Sequence, residues 1–509
     1  MSTIQGFFTV GFWTLVSRVL GFVRDVFIAA TLGATPVAEA FLLAFALPNL
    51  FRKFFAEGAF NMAFVPMFSK KLASGEKPLD FACDALSILA LVVIVLNVIA
   101  MLAMPYLVWI MASGFFGDER FDLTVMFGRI VFPYILFISL AALASGVLNS
   151  AGRFVATSAA PVLLNICFIG GLFVGNWAGW NTGLTLAWSV PVAGIAQFTF
   201  VWMAAHRAGF TLIPRFPHMT PEMKRLAMIA APAALAGGVL QVNLLVGRQI
   251  ASYFEGANAW LYYADRLYQL PLGVVGIAVG IVLLPDLSRR LRLGDTDGGR
   301  EAFNRAAEFS LLLTIPSAVA LLVIPTALVS VLFERGAFGT QDTAATALAT
   351  AIYGLGLPAF VLQKLYQPLF FSREDTKSPF YFALVALLVN AFIAILLRPY
   401  VGFTAAAYGA TFAGWAMLGC LWWSSRKFGV AARFDSQLRN KSWRIVLASL
   451  MMGVAIWGVA RLLEPILQIN SWRVLGLIVI MAVGGVSYVI SGRLTGAFTL
   501  AELRSLMRR

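Results

Sequence analysis

The chain is poor in charge. Of its 509 residues only 12% are Asp, Glu, Lys or Arg, against 60% hydrophobic residues, and the mean hydropathy is +0.84. A soluble domain of this size could not solvate such a surface, so the bilayer must be its solvent. Histidine is nearly absent: His206 and His218 lie in one basic loop and read as solvated. Cysteine is scarce too. Cys83, Cys167 and Cys420 lie in or beside apolar runs, show no metal-ligand spacing, and read as small core residues. There is no G-x-x-x-x-G-K-[ST] phosphate loop, which excludes an ATPase within the chain. No nucleophile elbow, Ser/His/Asp set or H-x-x-x-H pair can be assembled, so no cofactor and no metal are expected. Nor does the first apolar run read as a cleaved leader, because Arg18 and Arg24 stand inside it and no small-residue cleavage site comes after it.

What is present is a succession of apolar runs of about 18–25 residues, each broken by a short polar or Gly/Pro-bearing turn. Backbone groups in hydrocarbon must be satisfied internally, and runs this long are helices rather than barrel strands. The fold class is therefore an all-α integral membrane protein of about fourteen transmembrane helices. The spans are 7–31, 37–68, 84–112, 124–150, 157–176, 183–205, 226–253, 258–288, 306–333, 343–371, 379–397, 403–425, 443–462 and 472–493. Basic residues then set the orientation. Of 38 Lys and Arg, 25 fall in alternate loops and the C-terminal end, and five (Arg120, Arg335, Arg398, Arg461 and Arg473) fall on the opposite side. Both termini are expected in the cytoplasm. The net charge of +14 is mostly this bias and implies no nucleic-acid partner.

An internal repeat organises the spans. Pro66-Met67-Phe68-Ser69-Lys70 has a counterpart in Pro285-Asp286-Leu287-Ser288-Arg289, each at the end of the second helix in a group of six. A weaker echo pairs Arg153…Pro161 with Arg373…Pro379. Six is even, so the two groups insert the same way up, related by a pseudo-two-fold axis along the membrane normal. The expected division is a six-helix bundle at 1–220, a second at 221–430, and two added helices at 431–509.

Eight basic residues remain within the spans: Arg18, Arg24, Arg52, Lys53, Arg129, Arg248, Arg266 and Lys364. An Arg at the bilayer centre costs about 2.5–3.5 kcal/mol on insertion scales. Snorkelling relieves residues near helix ends, such as Arg129 and Lys364, but not Arg18 or Arg52. Those should face a wet cavity or a carboxylate, and Asp25, Glu39, Glu57 and Asp265 are candidate carboxylates. In one reading each Arg is simply paired and holds helices together. In the other, Arg18, Arg24 and Arg52 from one half and Arg248 and Arg266 from the other converge on one cavity. The planar guanidinium fork suits phosphate oxygens, so that cavity would take a phosphate or diphosphate. Gly21, Gly33, Pro36, Pro48 and Gly58 punctuate the first two spans, and Gly273, Gly276 and Gly280 weaken the eighth, which suggests helices that bend.

The strings Ser17-Arg18-Val19-Leu20-Gly21-Phe22-Val23-Arg24-Asp25, Ala46-Leu47-Pro48-Asn49-Leu50-Phe51-Arg52, Phe55-Ala56-Glu57-Gly58-Ala59-Phe60 and Trp260-Leu261-Tyr262-Tyr263-Ala264-Asp265-Arg266 carry a resemblance. With Leu270-Pro271-Leu272-Gly273-Val274 close behind the last, they resemble the MurJ (MviN) family of bacterial lipid II flippases, within the MOP exporter superfamily. The likeness runs over essentially the whole chain. It implies a carrier in the bacterial inner membrane that moves lipid II, the undecaprenyl-pyrophosphate-linked peptidoglycan precursor, to the periplasmic leaflet by alternating access. The family's cavity arginines match at Arg18, Arg24, Arg52 and Arg266, with Arg248 as the fifth, and its acidic partners at Glu57 and Asp265. Glu39 stands where some relatives have Asp. The last two helices would hold a groove for the polyprenyl tail. Some members bind sodium between helices 7, 11 and 12; here Asn390 and Ala394 supply no carboxylate, which argues against that site.

Other readings make different demands. A flippase for another polyprenyl-pyrophosphate glycan, such as an O-antigen unit, would share the arginines, and only the motif strings separate it. A multidrug cation exporter would carry membrane carboxylates in excess of bases, the reverse of this chain. A polyprenyl-phosphate glycosyltransferase would need acidic metal-binding motifs and a soluble domain. A non-transporting scaffold would need its membrane charges only for folding.

Overall fold

The computed structural model describes residues 3–55, 59–278, 289–290, 293–469 and 472–498. Among them the regular structure is helical, with no strand. The first helices are α1 (Thr3–Leu32), α2 (Pro36–Phe55), α3 (Ala59–Ser74), α4 (Pro78–Leu102), α5 (Met104–Met111), α6 (Glu119–Val131) and α7 (Tyr134–Ser150). Next come α8 (Val155–Trp177), α9 (Thr182–Arg207), α10 (Pro221–Ala251) and α11 (Ala257–Ala278). The rest are α12 (Thr296–Val323), α13 (Pro325–Phe333), α14 (Thr340–Phe371), α15 (Lys377–Val401), α16 (Ala405–Ser425), α17 (Ser436–Leu462), α18 (Glu464–Leu467) and α19 (Arg473–Leu494).

Nine helical stretches among the described residues are long and apolar enough to cross a membrane. Many carry large apolar side chains on their outer surface, such as Val98, Leu102, Phe173, Phe392 and Val454, as a chain solvated by lipid should. Three predicted spans prove to be helix pairs: α4 and α5, α6 and α7, α12 and α13. Each break falls at a proline, Pro105, Pro133 or Pro325, which cannot donate the i→i−4 hydrogen bond and crowds the preceding turn. Gly21, by contrast, does not interrupt α1, which is continuous. Part of the span 258–288, Gly280 and the repeat copy at 285–288 lie outside the described residues.

The chain forms two compact units. The first comprises Met1–Ala259 with Arg335–Phe338, and the second Trp260–Glu334 with Gly339–Arg509. In the first, α1 packs on α8, α8 and α7 on α9, and α2 on α6. Helix α10 packs there on α3, α2 and α5, although the repeat would assign it to the second group of six. A slipped stack of Phe60, Phe64, Phe68 and Phe81, with neighbouring centroids 5.5–5.6 Å apart, fills one end of this core. The short segment 335–338 belongs here because Ala337 donates its N–H to the Ala30 carbonyl at 2.8 Å. That approach requires two glycines: a Cβ on Gly33 would meet the Ala337 oxygen at 2.4 Å, and one on Gly336 would meet the Ala30 oxygen at 2.1 Å. Both also have positive φ, 61° and 59°.

In the second unit α14 packs on α12 and α16, α15 on α16, and α17 on both α12 and α19. Tyr263, Phe303, Tyr366 and Phe370 are fully enclosed in it. Helix α11 docks through Trp260, whose indole N–H donates to Asp342 at 2.8 Å, and through Tyr268, which packs on Tyr353 and Phe360.

Candidate functional site: charged groups inside the helices

Arg24 and Asp25 are both buried within α1, 7% and 1% exposed. Arg24 donates Nε and Nη2 to Asp25 Oδ1 at 3.0 and 2.8 Å, and Nη1 to Asn165 Oδ1 at 3.1 Å. Phe168 lies 5.3 Å from the guanidinium carbon and Phe45 6.0 Å, so aromatic faces enclose the cation. Asn165, on α8, in turn donates Nδ2 to the Ser17 carbonyl at 3.0 Å, which ties the pair to the middle of α1. The amide lies over Gly21, where even a Cβ would stand in ordinary van der Waals contact, 3.6 Å from Asn165 Oδ1. The charge of Arg24 is thus matched inside the protein. Chemically the cluster orients α1 against α8.

Glu39, on α2, is completely enclosed. Its Oε2 accepts from Arg120 Nη1 at 3.0 Å and from the Gly256 N–H at 2.9 Å, and its Oε1 accepts from the Asn258 N–H at 3.0 Å. Arg120 also donates Nε to Asp118 at 2.7 Å and stacks 4.4 Å from the Phe115 ring. Asp118 begins α6 as its N-cap. Burial opposes its ionisation, yet hydrogen bonds from the Arg120 backbone and guanidinium hold its carboxyl below the usual range.

Arg18 is placed differently. It is exposed, and among the described residues it makes no hydrogen bond or ion pair. It lines a groove of about 380 Å³ bounded by α1, α7 and α8. The remaining predicted residues spread over both units. Arg52 on α2 and Arg248 on α10 are half-buried in the first. In the second, Arg266 stacks 4.5 Å from the Tyr262 ring, and Asp265 accepts a short hydrogen bond from Gln269. Glu57 lies outside the described residues.

Residues 28–482 match the family model described as lipid II flippase MurJ. The chain belongs to the MurJ family. A probable lipid II flippase MurJ of Rhizobium tropici is 43% identical over 521 aligned positions, covering 100% of this chain and 97% of the relative. One of Rhizobium meliloti (strain 1021) is 45% identical over 464, covering 90% and 86%. Among solved structures, a lipid II flippase MurJ in an inward closed conformation superposes with a TM-score of 0.80 at 25% identity, covering 95% of this chain and 98% of that one. An inward-facing multidrug resistance MATE transporter of the MOP superfamily gives 0.67 at 11% identity over 82% and 95%, and shows the shared fold alone.

Within this MurJ-family chain, two polar residues at the clusters escape a reading based on charge alone. Asn165 connects Arg24 to Ser17, and its signal is plain: an amide in the middle of the apolar run 157–176. Arg120 reads from the sequence as a loop cation, yet it is buried and binds Glu39. Asp118 two residues before it is the available hint, because a carboxylate at a helix start often folds back on the next turn.

Proposed function

We propose that this chain is a lipid II flippase, which carries lipid II from the cytoplasmic to the periplasmic leaflet by alternating access. The observation that carries this reading is the family match across residues 28–482, within a helical membrane fold whose first two spans hold more basic residues than carboxylates. It is a carrier and not an enzyme. Fourteen crossings with both termini in the cytoplasm accord with the alternation of basic loops. Repeat-related bundles at 1–220 and 221–430 would supply the transport path, and helices α17 and α19, within 431–509, a groove for the polyprenyl tail. Arg18, Arg52, Arg248 and Arg266 are proposed to hold the diphosphate. Arg24, already matched by Asp25, positions α1, while Glu39, Glu57 and Asp265 set charge and gating. One elementary charge gains about 2.3 kcal/mol per 100 mV, so an inside-negative potential favours export of an anionic substrate.

The test is rescue of a bacterium depleted of its own lipid II flippase. This chain, present in the membrane at matched level, restores growth and rod or coccal shape. Lysis despite normal insertion would overturn the reading, and rescue of an O-antigen flippase mutant instead would move the substrate to another polyprenyl-diphosphate glycan.

A further inference from the structure

The outer flank of α8 and α9 carries an open cleft. Gly171 and Gly175 let these two helices close on each other: a Cβ on Gly171 would meet Ser189 Oγ at 2.2 Å, and one on Gly175 would meet Thr185 Cγ2 at 2.7 Å. Gly170 beside them has nothing within 4 Å of its absent Cβ. It lines a cleft of about 720 Å³ together with Val174, Trp180, Trp188 and Val192. Ligand sites are roughly 300–1,000 Å³.

The lining holds no charged residue, and its hydroxyls are spent on their own helix. Ser189 Oγ donates to the Thr185 carbonyl at 2.7 Å, Thr185 Oγ1 to the Asn181 carbonyl at 2.9 Å, and Asn181 Oδ1 accepts from the Leu184 N–H at 3.0 Å. Such a surface takes hydrocarbon and has no grip on a headgroup charge. Trp188 is the exception. Trp202, Trp260 and Trp415 donate their indole N–H groups to the Leu212 carbonyl, Asp342 and the Leu355 carbonyl. The Trp188 indole N–H makes no hydrogen bond among the described residues, and its side chain is exposed. An indole on an apolar helix needs an acceptor for that N–H.

Depth identifies the acceptor. Helix α9 begins at Thr182, so Trp188 lies about 9 Å along it, at about 1.5 Å per residue. An interfacial layer of about 5–8 Å borders each side of a ~30 Å hydrocarbon core. Trp188 thus stands at the level where acyl chains join their glycerol esters. Val192 is about 15 Å from the helix start, so the cleft stays within one leaflet.

We propose that this cleft binds one acyl chain of a glycerophospholipid, whose ester carbonyl accepts from Trp188 Nε1. In the orientation proposed above, that lipid belongs to the periplasmic leaflet. Apolar contact holds the chain, the ester fixes its height, and the headgroup is not read. None of the arginines proposed to hold the substrate lines this cleft.

The test uses the full purified chain and native mass spectrometry, with dioleoyl phosphatidylcholine, its ether-linked analogue and dioleoyl phosphatidylglycerol as probes. Gly170→Leu, which fills open space, should release one retained lipid without lowering the thermal midpoint. In the wild type that lipid should bind about fivefold less tightly when ether linkages replace its esters, the effect of one hydrogen bond. Trp188→Phe should erase the difference, and the two headgroups should compete equally. Unchanged retention in Gly170→Leu would overturn the site, and equal binding of ester and ether by the wild type would overturn the Trp188 contact. A preference for phosphatidylglycerol would overturn recognition by the chain. Displacement by undecaprenyl phosphate at equal concentration would give the cleft to a polyprenyl tail instead.

Discussion

At the scale of single residues, the arginines inside the helices divide by what neutralises them. Arg24 is enclosed with a carboxylate, an amide and two rings, whereas Arg18 is exposed in a polar groove. The same substitution should therefore act through stability at one and through binding at the other. Asp25→Asn leaves a buried guanidinium without its counter-charge, which costs about 3–5 kcal/mol. The predicted outcome is a clear drop in the thermal midpoint of the purified protein. Replacing both partners, Arg24→Met with Asp25→Leu, should recover most of that loss, because apolar residues of similar volume often substitute for a buried pair. A double variant as unstable as Asp25→Asn would show that the pair's charge is needed for folding itself. These arginines are legible in the sequence through the cost of placing them in hydrocarbon. Which of them is neutralised is not legible there, since Asn165 reaches Arg24 from 141 residues away.

Between elements, the apolar runs locate the helices well, because lipid demands long uninterrupted hydrogen-bonded segments. Each predicted span within the described residues falls on helix. Where a run hides a break, proline is the cause, and hydropathy averaged over a run does not register it. The connections carry charge pairs that can be tested by pH. Asp375, in the turn between α14 and α15, is held at a pKa of about 2, chiefly by the Lys427 ammonium 2.8 Å away and also by the Ser378 N–H and hydroxyl. Its pKa is depressed in the folded state relative to the ordinary value of about 3.9. The stabilisation it gives is thus complete above about pH 4 and lost as pH falls toward 2, with no change near neutrality. Lys427→Met should bring the Asp375 carboxyl titration, followed by carbon-detected NMR, upward toward the ordinary value. An unmoved titration would mean that Ser378 alone sets it.

For the whole molecule, membrane residence, helical class and family are all readable from the sequence. Composition carries the first two, and short strings such as Ser17–Asp25 and Trp260–Arg266 carry the third. Less legible is how helices group: α10 packs within the first unit, while the repeat assigns it to the second set, and a repeat in sequence does not specify which helices touch. Transport is proposed to depend on Arg18, which has no counter-charge among the described residues and grips the diphosphate of lipid II during its passage. The most direct test is the fraction of lipid II exposed on the outer leaflet, measured in spheroplasts by cleavage with an added lipid II hydrolase, in cells where this chain is the only flippase. Wild-type chain should expose lipid II, and Arg18→Ala, inserted at equal level, should leave it almost wholly protected. Equal cleavage in both would contradict that dependence.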